Sequence, residues 1–357
     1  MSNPPRNTPA SDVGPSVFGM TRDRLAARLA ALGLPAYRAT QLFTWIYRKH
    51  QRDPEAMTNL PLALRQELAR VLDLGLPGIA DHASTPGGET HKLVLALADG
   101  RRVECVAMQA ERGLTFCLSS QVGCALRCTF CATGQMGLQR NLRSEEIVAQ
   151  VLHMGDLQAW TDDGFNLVFM GMGEPLANYD AVLESIRILH DEQGLNVGAR
   201  RITVSTSGLV PQIERLAGEG LALGLALSLH ATTDEQRDRL VPVNRRWPLR
   251  ELLPAAQAYG LRTGRRVTLE YTLIDGVNDT LEDADRLAAI ARDLPSKINL
   301  IPYNPVPGLP YRRPAPGGVE AFAERLYPRA PAVTVRQTQG GEIWAACGQL
   351  AGLGPGA

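Results

Sequence analysis

Three cysteines, Cys124, Cys128 and Cys131, stand in a CxxxCxxC spacing, with Phe130 directly before the last of them. Thiolates so spaced can hold three irons of a 4Fe–4S cube and leave the fourth iron open, whereas a fully ligated cube takes four cysteines. An open iron could chelate the amino and carboxylate groups of S-adenosylmethionine, and one electron from the cluster would then break the bond between the sulfonium and the ribose carbon. That cleavage yields a primary radical able to abstract hydrogen. The same cysteines could instead form a zinc site, a dithiol pair in Cys128-Thr129-Phe130-Cys131, or a packed cluster of small apolar side chains. A structural zinc usually takes a second CxxC or a paired histidine at short range, and none follows within twenty residues of Cys131. A dithiol pair has no use for Cys124. The open cluster accounts for all three residues.

Gly171-Met172-Gly173-Glu174-Pro175 adds glycines that let backbone approach a ligand and a carboxylate able to take an ammonium group. Alone, such a segment is an ordinary strand-to-helix turn. His230 and Asn304 have the same standing, since each could be a satisfied core polar residue.

The elements that must position these residues are legible in the hydrophobic pattern. Apolar strands at Leu114 to Leu118, Phe165 to Met170, Ile202 to Ser205, Leu223 to Leu229, Val267 to Tyr271 and Ile298 to Ile301 alternate with amphipathic stretches such as Tyr179 to His190 and Leu281 to Asp293. This is the grammar of parallel βαβ units, so the fold class is α/β, with a partial (βα)6 barrel and its site at the C-terminal ends of the strands. Val333 to Arg336 adds one more strand. Cys124, Gly171 to Glu174, Ser205, His230 and Asn304 all fall at or just beyond strand ends, as a shared site requires.

Upstream, Thr21 to about Leu72 has helical spacing, with Leu25, Leu29 and Leu32 on one face, a break at Pro35 and a third helix opening at Asn59-Leu60-Pro61. Two alternating runs, His91 to Leu97 and Arg101 to Met108, flank Asp99-Gly100, a strong hairpin signal. The expected organisation is a disordered tail at 1–17, a helical accessory domain at 18–90, a β-hairpin linker at 91–113, a barrel core with a C-terminal cysteine loop at 114–352, and a short tail at 353–357.

Composition narrows the function classes. The 37 basic and 37 acidic residues cancel, which argues against a protein that coats nucleic acid by charge alone. A local surplus remains between Arg22 and Asp73, nine Arg or Lys against five Asp or Glu, a weak hint of phosphate contact. No apolar run of membrane-spanning length and no signal pattern are present, so a cytoplasmic protein is expected. In that reducing setting the six cysteines serve metals or chemistry and not a disulfide scaffold. No long heptad pattern appears, and a monomer is expected.

With the cysteine motif, the GMGEP segment and Ala346-Cys347-Gly348-Gln349-Leu350-Ala351-Gly352 in view, the chain resembles the RlmN family, dual-specificity RNA methyltransferases acting on 23S ribosomal RNA and transfer RNA. The likeness runs from about Thr21 to Gly352 and includes Ser119-Ser120-Gln121-Val122-Gly123-Cys124, Ser205-Thr206-Ser207-Gly208, Ser228-Leu229-His230-Ala231 and Asn299-Leu300-Ile301-Pro302-Tyr303-Asn304-Pro305. The resemblance implies methylation of carbon 2 of adenosine, in the peptidyl transferase centre of 23S rRNA and 3′ of the anticodon in tRNA. That carbon is electron-poor and cannot attack a sulfonium methyl group, so a radical route is chemically required.

The resemblance further implies two S-adenosylmethionine molecules per turnover. One methylates Cys347; the other is cleaved at the cluster held by Cys124, Cys128 and Cys131. It assigns Cys117 as the resolving thiol that forms a transient disulfide with Cys347, and Glu104 as the proton acceptor. It places S-adenosylmethionine contacts at Gly173, Glu174, Ser205, Ser228, Leu229, His230 and Asn304, RNA contacts on the helical segment, and a flavodoxin or ferredoxin as electron donor. By pattern alone, Cys117 and Cys347 read as buried small residues and Glu104 as an exposed strand residue, with Cys105 packed on the opposite face.

The family often has a basic residue and then Gly-Asp-Asp-Ile-Asp before the carrier cysteine, whereas this chain has Gln339-Gly340-Gly341-Glu342-Ile343-Trp344. A change in loop packing, not in reaction type, is the expected effect of Trp344. Competing readings are a Cfr-type enzyme acting on carbon 8 of the ribosomal adenosine, a non-enzymatic iron–sulfur RNA-binding protein, and a radical enzyme that activates another protein. Ala36-Tyr37-Arg38-Ala39-Thr40-Gln41-Leu42 and Ala56-Met57-Thr58-Asn59-Leu60 favour carbon 2 by their likeness to RlmN.

Overall fold

The computed structural model describes residues 15–110, 113–160 and 164–351. Most of the expected N-terminal tail, and the C-terminal tail at 353–357, lie outside the described residues. The expected disordered tail at 1–17 is corrected at its end. Ser16 bridges to Asp73, the Val17 N–H donates to Asp73 O at 3.0 Å, and Val17 and Phe18 are buried, because two apolar side chains here find a core to enter.

Helix α1 (Arg22–Ala31) starts where the Thr21 hydroxyl accepts the Arg24 N–H, and it buries Leu25 and Leu29. Helix α2 (Tyr37–Phe43) continues into a wider turn at Thr44–Arg48, and α3 (Leu62–Val71) follows Pro61, burying Leu64 and Leu68. The helical stretch ends there. The expected helical domain to residue 90 is corrected by strand β1 (Gly78–Ser84), whose residues are largely exposed and carry no alternation to mark it.

β1 pairs antiparallel with β2 (Thr90–Ala96), and β2 with β3 (Arg102–Ala110), around the Asp99-Gly100 turn. The hairpin is not a separate linker, because β3 also pairs antiparallel with β4 (Gly113–Cys117), the first strand of the barrel. Next come a two-stranded ribbon of β5 (Gln121–Gly123) and β6 (Leu138–Asn141) around the short helix α4 (Ala132–Gln135), and then α5 (Ser144–Leu157).

The parallel series continues as β7 (Phe165–Phe169), α6 (Tyr179–His190), β8 (Ile202–Thr206), α7 (Val210–Ala217) and β9 (Gly224–Ser228). It is completed by α8 (Asp234–Leu240), α9 (Leu249–Thr263), β10 (Val267–Leu273), α10 (Leu281–Arg292), β11 (Ser296–Pro302), α11 (Pro316–Leu326) and β12 (Val333–Val335). One ten-stranded sheet results, in the order β1-β2-β3-β4-β7-β8-β9-β10-β11-β12, parallel from β4 onward. The partial (βα)6 barrel is therefore the architecture. Leu167, Val204, Leu225, Leu269 and Ile298 are fully buried on one face of the parallel strands, opposite the face that carries Ser205, Ser228 and Glu270.

β12 and β4 do not pair, and the segment from Gly340 to Ala351 crosses the open side. Its ties reach both flanks: Asn304 Nδ2 donates to Cys347 O at 3.2 Å, and the Ala351 N–H donates to Glu104 Oε2 at 2.8 Å. Among the described residues no helix is long and apolar enough to cross a membrane.

Candidate active site

The three-cysteine loop is held by backbone. β5 and β6 pair through Val122 and Arg140, and the Cys124 N–H donates to Gly137 O at 3.0 Å. Gly123 has φ +76°, and a Cβ there would lie 1.8 Å from Gly137 O, so only glycine fits this approach. On the far side the Thr129 N–H donates to Leu240 O at 3.0 Å, and the Thr129 hydroxyl lies 2.7 Å from the Tyr311 hydroxyl.

Cys124, Cys128 and Cys131 line one cavity of about 150 Å³. Burial pushes the Cys124 thiol up to about 12 and raises Cys128 and Cys131 as well, each further opposed by the charge of a neighbouring thiol. Three thiols this costly to ionise together become thiolates only against a strong positive charge, which is the environment a metal supplies. Among the described residues no group of three His, Cys, Asp or Glu could hold a single metal ion. A cube makes a different demand, one thiolate on each of three irons, and the donor set fits it.

The same cavity gathers Gly173, Glu174, Ser205, Ser228, His230 and Asn304. Gly173 has φ +100°, and a Cβ would lie 2.5 Å from Gln121 Cβ. Glu174 accepts the N–H groups of Leu176 at 3.1 Å and Ser207 at 2.8 Å; burial outweighs these bonds and pushes its carboxyl up to about 7. The Ser205 and Ser228 hydroxyls are 3.4 Å apart. His230 Nδ1 accepts the Thr272 N–H at 3.0 Å, while burial, aided by Arg237, pulls its pKa down to about 3. The ring is therefore neutral with its proton on Nε2. Leu229 is the exception among the expected contacts: its side chain is fully buried in the core, and its backbone N–H donates to Glu270 O at 3.0 Å.

Cys347 lines this cavity and also a second, smaller one of about 20 Å³, which it shares with Cys117, Met108 and Arg336. Cys117 and Cys347 are free thiols. Burial first, then the neighbouring Cys347, push Cys117 up to about 12, and Arg336 opposes them.

Glu104 corrects the pattern-based expectation. It is 1% exposed, not a surface residue, and Lys92 Nζ lies 3.1 Å from its Oε1. The C-terminal segment covers the strand face that alternation assigns to solvent. Cys105, on the other face, is fully buried as expected.

Sequence reasoning missed Lys92, Arg237 and Arg336. Arg237 is fully buried and donates to the carbonyls of Leu229, Ser207 and Ser228 and to Asn244 Oδ1 at 2.6 to 3.2 Å. On the sequence it sits in a charged helical run that reads as a solvated face. Lys92 had a usable signal: counting back from the Asp99-Gly100 turn places it opposite Val106, and so diagonal to Glu104 on one strand face.

An incomplete parallel barrel with three thiols at the mouth of a ligand-sized cavity defines a radical S-adenosylmethionine enzyme, and residues 118–288 match the Radical SAM superfamily. Residues 16–74 match the "Ribosomal RNA large subunit methyltransferase N-terminal domain". A probable dual-specificity RNA methyltransferase RlmN of Symbiobacterium thermophilum is 50% identical over 93% of this chain and 90% of its own length. The dual-specificity RNA methyltransferase RlmN of an Anaeromyxobacter species is 48% identical over 98% and 94% respectively. The crystal structure of a radical SAM methyltransferase from Sphaerobacter thermophilus superposes with a TM-score of 0.91 at 48% identity, covering 95% of this chain and 99% of that one. The chain belongs to the RlmN family of radical SAM RNA methyltransferases. Membership implies a 4Fe–4S cluster and S-adenosylmethionine, and it sets aside the non-enzymatic reading.

Proposed function

We propose that the enzyme methylates carbon 2 of adenosine in 23S rRNA, at the peptidyl transferase centre, and in tRNA, at the adenosine 3′ of the anticodon. The observation that carries the carrier-cysteine chemistry is the position of Cys347, which borders both the cavity of the three candidate cluster thiols and the cavity containing Cys117, and the choice of carbon 2 rests on the N-terminal likeness to RlmN. A carrier thiol must meet the radical source on one side and a resolving thiol on the other.

In this reading Cys124, Cys128 and Cys131 hold the cluster, and Gly173, Glu174, Ser205, Ser228, Leu229, His230 and Asn304 form the S-adenosylmethionine site. When bound, cluster and S-adenosylmethionine supply a carbon radical by one-electron cleavage of the sulfonium. Cys347 receives its methyl group by displacement from a separate S-adenosylmethionine, which makes two per turnover. The activated methyl carbon bonds to carbon 2 and tethers RNA to Cys347. Glu104 takes the proton from carbon 2 and the adduct gives up its unpaired electron, which would return to the cluster; Cys117 then attacks the Cys347 sulfur, so the carbon–sulfur bond breaks as a disulfide forms and the departing carbon takes a proton from solvent. The helices from Arg22 to Val71 carry RNA contacts. A flavodoxin or ferredoxin supplies the electron, and the enzyme works as a cytoplasmic monomer.

Mass spectrometry of nucleosides from RNA treated with the cluster-loaded enzyme tests the site of reaction. The expected product is 2-methyladenosine. Appearance of 8-methyladenosine alone would transfer the enzyme to the Cfr-type chemistry.

A further inference from the structure

Two buried charges on the antiparallel strands hold the Cys347 segment on either side of its thiol. Lys92 Nζ lies 3.1 Å from Glu104 Oε1 and donates to the carbonyl oxygen of Trp344 at 3.4 Å. The other carboxylate oxygen of Glu104 accepts the Ala351 N–H at 2.8 Å. Trp344 lies before Cys347 and Ala351 after it, so the carrier thiol sits on a short span fastened at both ends to one ion pair. Lys92 and Glu104 side chains are each 1% exposed.

The fastening before the thiol is the unusual one. After Cys347 the chain has further ties: the Ala132 N–H donates to Gly348 O at 2.8 Å, the Thr133 hydroxyl to Leu350 O at 2.5 Å, and Gln349 Nε2 to Pro305 O at 3.0 Å. Before it, the turn at Gly341–Ile343 is closed by its own backbone, and Trp344 adopts a left-handed conformation with φ +56°. A tryptophan does not hold that conformation by preference. The Lys92 ammonium meets the carbonyl this backbone turns toward the strands.

We propose that Lys92 is a positioning residue for methyl transfer, setting the carboxylate of Glu104 and the approach of Cys347 with one side chain. The proposal rests on the reading of Glu104 as proton acceptor and Cys347 as carrier. An ammonium in this place does two things that an apolar residue of the same length cannot. It holds the buried carboxylate in one orientation by a charged contact, and it fixes where the span carrying the thiol begins. When proton removal fails, the reaction halts with RNA still bonded to Cys347, so a faulty proton acceptor leaves a covalent adduct as its signature.

The test compares Lys92→Met, Lys92→Arg and Glu104→Gln in the full-length, cluster-loaded protein. Three quantities are read: methylated RNA, covalent RNA–Cys347 adduct on denaturing gels with peptide mass, and hydrogen exchange over residues 344–351. Lys92→Met is expected to keep its iron and sulfide, lose about tenfold in product, accumulate the adduct, and speed exchange at Trp344 and its neighbours by about tenfold, as loss of one charged hydrogen bond predicts. Lys92→Arg is expected to recover most of the product. Product within twofold of the native enzyme in Lys92→Met, or a loss of product with neither adduct nor faster exchange, would overturn the proposal.

Glu104→Gln separates the two levels. If it traps the adduct and Lys92→Met does not, the role of Lys92 falls and that of Glu104 stands; if it turns over normally, the reading of Glu104 falls and the proposal with it. Should Lys92→Met lose its cluster, the double variant Lys92→Met with Glu104→Gln, which buries no lone charge, carries the exchange measurement. Faster exchange at Trp344 than in Glu104→Gln alone supports the proposal, and equal exchange removes it.

Discussion

Replacing Arg237 with methionine should destabilise the protein and loosen the proposed S-adenosylmethionine site together. The guanidinium is fully buried in α8 and donates Nε to Leu229 O at 3.1 Å, Nη1 to Asn244 Oδ1 at 2.9 Å, and Nη2 to Ser207 O at 2.6 Å and Ser228 O at 3.2 Å. Three of the four acceptors are main-chain carbonyls at the ends of β8 and β9, where Ser205, Ser228 and His230 meet the cavity. Methionine fills similar space but donates nothing, so four oxygens, two buried and two part-buried, lose a partner. Each such loss costs about 1 kcal/mol or more, partly offset by no longer burying a cation, and a net loss of about 3 kcal/mol follows. Burial already pulls the arginine down to about 10, which marks how costly that cation is to hold.

Lysine, with a single ammonium, reaches fewer of these oxygens and should recover less than half of the loss. Urea unfolding of the cluster-free protein, followed by tryptophan fluorescence, reads the stability, and equilibrium binding of S-adenosylmethionine to the loaded protein reads the site. Unfolding free energy of Arg237→Met within about 1 kcal/mol of the native protein would rule out this structural role for Arg237. So would full recovery by lysine.

Other perturbations follow from the same geometry. Gly123→Ala would place a Cβ 1.8 Å from Gly137 O at φ +76°, and iron and sulfide analysis after reconstitution should show most of the cluster lost; full loading would contradict the tight β5–β6 approach. Glu174 is raised to about 7 by burial, so it turns neutral as pH falls through that value and, in its proposed role, should accept a ligand amino group less well. Binding of S-adenosylmethionine should be about tenfold weaker at pH 6 than at pH 8, and Glu174→Gln should flatten that difference. Trp344→Asp should relieve about 1 kcal/mol of left-handed strain with cluster content unchanged, visible as a higher Tm. A lower Tm would show that the indole packs more favourably than its 38% exposure implies.

The barrel was legible because its strands are buried on both faces and therefore run apolar without interruption, as in Leu223 to Leu229. The hairpin was legible because Asp99-Gly100 is a turn of known geometry. Strand β1 was not, since an exposed edge strand reading Gly-Ile-Ala-Asp-His-Ala-Ser offers neither alternation nor an apolar run. The candidate cluster thiols Cys124, Cys128 and Cys131 stand out by spacing alone, because ligand geometry is local, and the fold gathers them around one cavity. Glu104 could not. Its burial is produced by the chain's last described residues folding over β3, some 240 positions away in sequence, and only the resemblance marked it. Arg237 and Arg336 escaped for a related reason: an arginine in a charged helical run or at the end of a short strand reads as solvated until the strand ends that surround it are in place.

Deuterium in the transferred methyl group tests the carrier role of Cys347 most directly. The cluster-loaded enzyme, reduced without oxygen, is given unmodified RNA and S-adenosylmethionine bearing a fully deuterated methyl group, and both nucleosides and the Cys347 peptide are weighed. The expected result is 2-methyladenosine whose methyl group has exchanged one of its hydrogens, a labelled methyl on the Cys347 peptide before RNA is added, and loss of both in Cys347→Ala. A product methyl that keeps all its deuterium, or one still formed by Cys347→Ala, would contradict it.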